Sequence, residues 1–342
     1  MTLEEFLDTW HSPSETLLVH TSGSTGTPKP MLVEKRRMLN SAKITCDFLG
    51  LKPGDAALLC MSLDYIAGKM MVVRSLERGL KLISVKPSGH PLSAESLKNA
   101  NDAAWKQGFT FAAMVPMQVY NTLQVPEERE RLTHIKHLII GGGAIDSALE
   151  AELRSLSGDI AIWSTYGMTE TLSPIALRRI NGKEASEWYQ PFDSVKVSQT
   201  EEGCLVIDAP LVCKQPLVTN DIVEIQPYIY NKVCAEGVRF RIKGRKDNVI
   251  CSGGIKIQIE EVENLLKPHL QKPFMLAKKK DEKFGEIAVL LTEDGDLKKV
   301  EATVRRLLSD NSKKYWIPRE YIHVESLPLA ETGKPKRACL FR

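Results

Sequence analysis

Between residues 21 and 29 the chain reads Thr21-Ser22-Gly23-Ser24-Thr25-Gly26-Thr27-Pro28-Lys29. Such a run suits a polyphosphate. Glycines let backbone N–H groups come close to oxyanions, hydroxyls add donors, and the lysine adds charge. The spacing is not that of a Walker loop, because Pro28 stands where the second glycine is required and Pro30 follows the lysine. A Ser/Thr/Gly surface loop would have the same composition. The run follows directly on the apolar Leu17-Leu18-Val19-His20, however, and a bland linker seldom starts at the end of a buried-looking strand.

A second candidate is Gly141-Gly142-Gly143-Ala144, which follows the apolar His137-Leu138-Ile139-Ile140 and precedes a helical pattern. Three glycines at a strand end let a flat ring lie against the backbone, although a plain strand-to-helix turn could use them equally well. They lack the Gly-x-Gly-x-x-Gly spacing of a dinucleotide fingerprint.

The run at 21–29 resembles the signature loop of the adenylate-forming superfamily, which includes acyl-CoA synthetases, firefly luciferase and the adenylation domains of peptide synthetases. On that resemblance, Gly141, Gly142 and Gly143 are similar to the adenine-side loop, and Thr165-Tyr166-Gly167-Met168-Thr169-Glu170 to the Tyr-Gly-x-Thr-Glu motif. The chemistry is consistent: Tyr166 would stack on adenine, Thr169 would bond the α-phosphate, and Glu170 would hold Mg²⁺ with few direct ligands. An exposed glutamate at a helix start is otherwise only what the macrodipole favours.

The resemblance assigns Asp221 and Arg245 to the ribose hydroxyls. A carboxylate can accept from two vicinal hydroxyls, and an arginine can donate to their remaining lone pairs. Asn220 stands where the family usually has glycine, and asparagine also tolerates positive φ. Asp247 matches the hinge about which a small domain turns after the first half-reaction. Gly253, Gly254 and Lys256 match the segment that then approaches the pantetheine arm of CoA. A surface hairpin would also use such a glycine pair. Leu327 to Arg337 resembles the family's C-terminal element, with Lys334 as the catalytic lysine between Gly333 and Arg337.

The resemblance implies two half-reactions: a carboxylate attacks the α-phosphate of ATP and releases pyrophosphate, then the thiol of CoA displaces AMP from the acyl-adenylate. Positioning and charge stabilisation would carry the first, with Lys29, Lys334, Mg²⁺ and the hydroxyl loop supplying the charge. The early loop implies that most of the family's N-terminal subdomain is absent. That compactness, with residues 62–80 and 111–123, resembles the o-succinylbenzoate–CoA ligases of menaquinone synthesis, although Asp64-Tyr65 stands where many members carry histidine. A ligase for another aryl or short-chain acid, a nucleotide-binding homologue that has lost catalysis, and an assembly-line adenylation module remain as alternatives. Lys334 and Glu170 weigh against decay, and we expect no carrier domain after Arg342.

These residues need a scaffold, and apolar runs at 17–20, 57–61, 81–85, 111–115, 137–141 and 160–164 alternate with helical patterns at 38–49, 67–78 and 147–156. Alternation of this kind predicts a layered α/β domain with parallel strands and ligands at their carboxyl ends. From about Val195 to Gly244 strands follow one another without helices, a β-rich subdomain. Residues 245–342 read as a small α+β domain. We therefore expect an α/β fold with an adenylation domain over 1–244 and a mobile C-terminal domain over 245–342.

Composition limits the other classes. A net charge of +3 with interspersed signs excludes the basic stripe of a nucleic-acid binder, and Lys278-Lys279-Lys280 is followed at once by Asp281 and Glu282. Seven cysteines without a Cys-x-x-Cys pair argue against a disulfide framework and a zinc knuckle, and predict a reducing cytoplasm. The acidic N-terminus is unlike a signal peptide, and no run is long enough for a membrane span. A homo-oligomer is compatible with all of this. The expected partners are a small carboxylic acid, ATP and CoA.

Overall fold

A computed structural model describes residues 1–20, 29–98, 108–156, 159–230, 235–309, 313–329, 335–337 and 340–341. Helix α1 (Leu3–His11) opens with a reciprocal cap, in which the Thr2 hydroxyl accepts from Glu5 N and the Glu5 carboxylate accepts from Thr2 N. Strands β1 (Thr16–His20) and β2 (Pro30–Glu34) then pair antiparallel in a sheet of their own. The run at 17–20 thus lies outside the parallel sheet in which its place in the alternation had put it. Its burial explains why: Leu17 and Val19 are buried while Leu18 is 50% exposed, as in a hairpin wetted on one face.

Helix α2 (Lys35–Leu49), β3 (Ala56–Leu59), α3 (Ile66–Arg78) and β4 (Lys81–Ser84) follow. Both helices stop at a left-handed glycine, Gly50 at φ 64° and Gly79 at φ 66°. The chain continues through α4 (Ala94–Lys98), β5 (Phe111–Met114), α5 (Pro116–Leu123), α6 (Pro126–Thr133), β6 (His137–Ile140), α7 (Ser147–Arg154), β7 (Ala161–Met168), β8 (Ser173–Arg179) and β9 (Gln190–Pro191). The main sheet has the order β4-β3-β5-β6-β7-β8-β9. From β4 to β7 the pairing is parallel, and β8 and β9 are antiparallel additions. Every residue of β5 is buried, as expected for a parallel strand covered on both faces. The order reverses between β3 and β5, the kind of place where open α/β sheets bind ligands.

Strands β10 (Lys196–Gln199), β11 (Cys204–Asp208), β12 (Leu217–Tyr230) and β13 (Ala235–Arg245) form a second sheet in chain order, without helices between them. By compactness the chain divides into one unit of residues 1–198, 206–217 and 225–240, and another of 199–205, 218–224 and 241–342.

In the second unit a 3₁₀ turn (Lys246–Asn248) leads into β14 (Val249–Ser252), β15 (Ile255–Gln258), α8 (Ile259–Leu266), β16 (Phe274–Asp281), β17 (Gly285–Thr292), α9 (Leu297–Leu307) and β18 (Glu320–His323). The sheet order is β15-β14-β17-β16, with β18 parallel on β17. Strand alternation gives this sheet two apolar faces. Leu276, Ala288 and Leu290 pack with Val262, Leu266, Val300 and Val304 of the two helices, while Met275, Ala277, Ile287, Val289 and Leu291 form a second cluster. Among the described cysteines, Cys46, Cys60, Cys204 and Cys213 are buried free thiols and Cys251 is an exposed one. No helix among the described residues is long and apolar enough to cross a membrane.

Candidate active site

In the layered unit, the Gly141–Gly143 step leaves the carboxyl end of β6. Gly141 N donates to Met114 O at 3.1 Å, and a Cβ on Gly141 would lie 2.4 Å from the Thr165 hydroxyl on β7. A larger residue there would require the Thr165 side chain to shift. Gly142 is exposed at φ 80°, a left-handed conformation suited to glycine, so bare backbone faces outward.

Next to it, β7 runs further than its apolar core suggested, through Thr165, Tyr166 and Gly167 to Met168, because β8 pairs with it along this length. The motif expected just after the strand is therefore partly inside it. Tyr166 is only 7% exposed, with Phe240 at 5.1 Å in a T-shaped contact and Tyr189 at 5.9 Å. Little of the Tyr166 side chain is left open to a ligand. Thr169 is buried and Glu170 exposed, both on the 3₁₀ turn Thr169–Thr171 that follows β7.

One residue important to this region escaped the sequence reading. Arg74 of α3 is 2% exposed and has no carboxylate partner among the described residues. One terminal nitrogen donates to the Ser173 hydroxyl, the other lies 3.9 Å from Met71 Sδ, and Nε has no partner. Burial pulls its pKa down to about 10. Lys69 on the same helix is also buried, and its ammonium, held by Leu63 O, is pushed down by burial against the opposing pull of Asp64. The sequence did hold a signal: Met70, Met71 and Arg74 share one face at helical spacing, so Arg74 falls on a buried stripe.

In the second unit, Arg245 at the end of β13 donates to Asp221 at 3.3 Å and to Asp247 at 3.1 Å. The Asn220 amide reaches both Asp247 oxygens, at 3.1 and 3.4 Å. The resemblance gave Asp221 and Arg245 to the ribose and Asp247 to a hinge, and the structure links all three in one network with Asn220. Gly253 (φ 57°) and Gly254 (φ 85°) form the two-residue turn between β14 and β15, and two successive positive φ values are what a type I′ turn demands. Lys256 is exposed on β15, opposite Cys251. Arg337 grips Glu263 with both contacts at 2.7 Å, and Lys336 N donates to Pro328 O at 2.8 Å. Lys29 is exposed just before β2. Thr21, Ser22, Gly23, Ser24, Thr25, Gly26 and Lys334 lie outside the described residues.

A nucleotide with a magnesium ion fits what is present. The bare backbone at Gly142 can take a flat ring, and Glu170 offers one exposed carboxylate. No group of three or more metal-binding side chains occurs among the described residues, so a divalent ion would rely mainly on phosphate oxygens and water, as Mg²⁺ commonly does.

The parallel sheet with a glycine step and a Thr-Glu turn at its carboxyl end defines a class. Residues 8–208 match the family of AMP-binding enzymes, and the chain belongs to that family. An acyl-CoA synthetase (AMP-forming)/AMP-acid ligase II-like protein from Dyadobacter fermentans DSM 18053 is 31% identical, with 97% of this chain and 91% of that one covered and a TM-score of 0.62. The 2-succinylbenzoate–CoA ligase of Haemophilus influenzae is 29% identical over 80% of this chain and 58% of its own length. The O-succinylbenzoate coenzyme A synthetase of Bacillus subtilis, solved in complex with ATP and magnesium ion, shares the fold with a TM-score of 0.70 at 21% identity, covering 94% of this chain and 69% of that one. Among curated relatives the chain spans as little as 9% of the length of the relative it matches.

Proposed function

We propose that this chain is an ATP-dependent acid–CoA ligase: it joins a carboxylate to ATP, giving an acyl-adenylate and pyrophosphate, and then transfers the acyl group to CoA with release of AMP. The observation that carries the reading is the Gly141–Gly143 step seated on Thr165, one strand from the turn bearing Thr169 and Glu170. In this reading the glycines lie against the adenine, and Tyr166 braces that side through Tyr189 and Phe240. Thr169 bonds the α-phosphate, with Lys29, Lys334 and the hydroxyls and backbone of 21–26 around the polyphosphate. Asp221 and Arg245 take the ribose hydroxyls. Mg²⁺ beside Glu170 would neutralise phosphate charge. For the second step, residues 245–342 act as a mobile domain turning at Asp247, with Gly253, Gly254 and Lys256 on the path of CoA.

Arg74 supports a narrower substrate class. A guanidinium held out of water with no carboxylate beside it among the described residues is costly, and an anion placed there offsets that cost. We therefore favour an acid with a second carboxylate, and o-succinylbenzoate, the substrate in the name of the Haemophilus relative, is our first choice. The setting would be menaquinone synthesis in the cytoplasm.

A pyrophosphate-release screen over carboxylic acids, with and without CoA, tests the reading. Release with an aryl dicarboxylate, and thioester only when CoA is added, is the expected result. Thioester from monocarboxylates alone would move the substrate to another acid. No release with any acid would refute the ligase.

A further inference from the structure

The backbone just beyond Glu170 is strained. Leu172 has φ 58° and Ser173 φ 140°, and these are the only non-glycine residues with positive φ among the described residues. Each such conformation costs on the order of 1–3 kcal/mol and persists only where its surroundings enforce it. Here they do. The Ser41 hydroxyl of α2 donates to Leu172 O at 3.3 Å. Arg74 of α3 donates to the Ser173 hydroxyl. The Thr171 hydroxyl lies 2.9 Å from Ser173 O and 3.0 Å from both Met168 N and Met168 O. Gly167 leaves no room for slack, since a Cβ there would lie 2.3 Å from Ser173 O.

We propose that Arg74 is a positioning residue for Thr169 and Glu170. Its guanidinium holds Ser173, Ser173 fixes the end of the 3₁₀ turn, and the turn sets where the Glu170 carboxylate stands. The inference rests on the ligase reading for its ligands, though not for the clamp itself. An acid carboxylate drawn to Arg74 and a magnesium nucleotide drawn to Glu170 then communicate through four residues of backbone. Such coupling must be reciprocal: acid tightens nucleotide binding by the same factor by which nucleotide tightens acid binding.

The substitution Ser173→Ala removes the acceptor and leaves Arg74 in place. In ligand-free protein, amide hydrogen exchange across 169–173 should quicken several-fold in this variant, with the rest of the sheet unchanged. Equal exchange in the two proteins would overturn the clamp, whatever the ligands do. Calorimetry of AMP with Mg²⁺, alone and with an aryl dicarboxylate present, should show about fivefold or greater mutual tightening in the wild type, the low end of ordinary coupling. In Ser173→Ala the tightening should fall towards unity while the acid alone still binds. Persistence of the full coupling would overturn the proposal. If the wild type binds neither ligand, the ligase reading fails and the exchange comparison still judges the clamp. As a check on strain, Ser173→Gly should be more thermally stable than Ser173→Ala, because glycine accepts the positive φ; the opposite order would count against an enforced turn.

Discussion

The turns at Thr169–Thr171 and Lys246–Asn248 are both short 3₁₀ segments that present a carboxylate, yet they are held by opposite means. Around the first, Thr169, Thr171 and Leu172 are buried, the following backbone is strained, and Arg74 beside it is buried. Around the second, the Asp247 and Lys246 side chains make exposed contacts: Asp247 is 51% exposed, and Lys246 (48%) meets Glu202 (65%) at 2.5 Å. Exposed ion pairs contribute about 0–1 kcal/mol each, so the second turn can exchange partners at little cost. Buried strain admits one arrangement. A carboxylate that must stand still at a phosphate suits the first turn, and a segment that must rearrange suits the second.

Several changes would break or sharpen this contrast. The largest effect is expected outside both turns: Lys334→Ala should lower adenylate formation by about 10²-fold or more, the scale of a lost electrostatic contact, and leave CoA attack on a supplied acyl-adenylate largely intact. Equal loss in both steps would refute its role. Glu170→Gln should cost adenylation about 10²-fold, because a pinned turn cannot bring up a substitute, whereas Asp247→Asn should cost it less than about tenfold. Measured by pyrophosphate exchange, similar losses for the two would erase the contrast. Freezing the second turn with Asp247→Pro should slow thioester formation about tenfold more than pyrophosphate exchange.

Acid should weaken the layered unit through His137. Burial first, then Lys136 and Arg179, hold its pKa at about 4, against 6.5 when free, and its Nδ1 has no partner. Between those values the unfolded chain binds the extra proton, so stability is full above 6.5 and falls as pH drops towards 4. The slope is at most about 1.4 kcal/mol per pH unit, and a His137→Gln variant should flatten it in denaturant titrations. The smallest effect belongs to Asn220→Ala, whose exposed contacts should shift thermal stability by no more than about 0.5 kcal/mol.

Much of this was legible in the sequence because period and punctuation agreed. The runs at 57–61, 81–85, 111–115 and 137–141 are strands of the main sheet, and the helices began within three residues of the predicted starts. Where the reading failed, tertiary pairing decided. The run at 17–20 looked like a buried strand, but its partner is β2. The motif at 165–170 was placed just past the strand at 160–164, but pairing with β8 carries β7 through Met168. Arg74 was overlooked because a charge in a helix ordinarily faces water, although its spacing from Met70 and Met71 put it on the stripe that is buried. The link from Arg245 to Asp221 could not be read from spacing, since side chains 24 residues apart must first be brought together.

The hairpin of β14 and β15 shares one ladder pair with β17, Ser252 with Gly285, and carries the exposed Cys251, whose backbone N donates to the Glu286 carboxylate at 2.8 Å. Burial pushes the Cys46 and Cys60 thiols up to about 11 and 12, which leaves them almost wholly as unreactive thiols at neutral pH. A maleimide dye should therefore react with Cys251 well before either of them. That gives a fluorescent reporter on the strand beside Gly253 and Gly254, obtained without engineering a new cysteine.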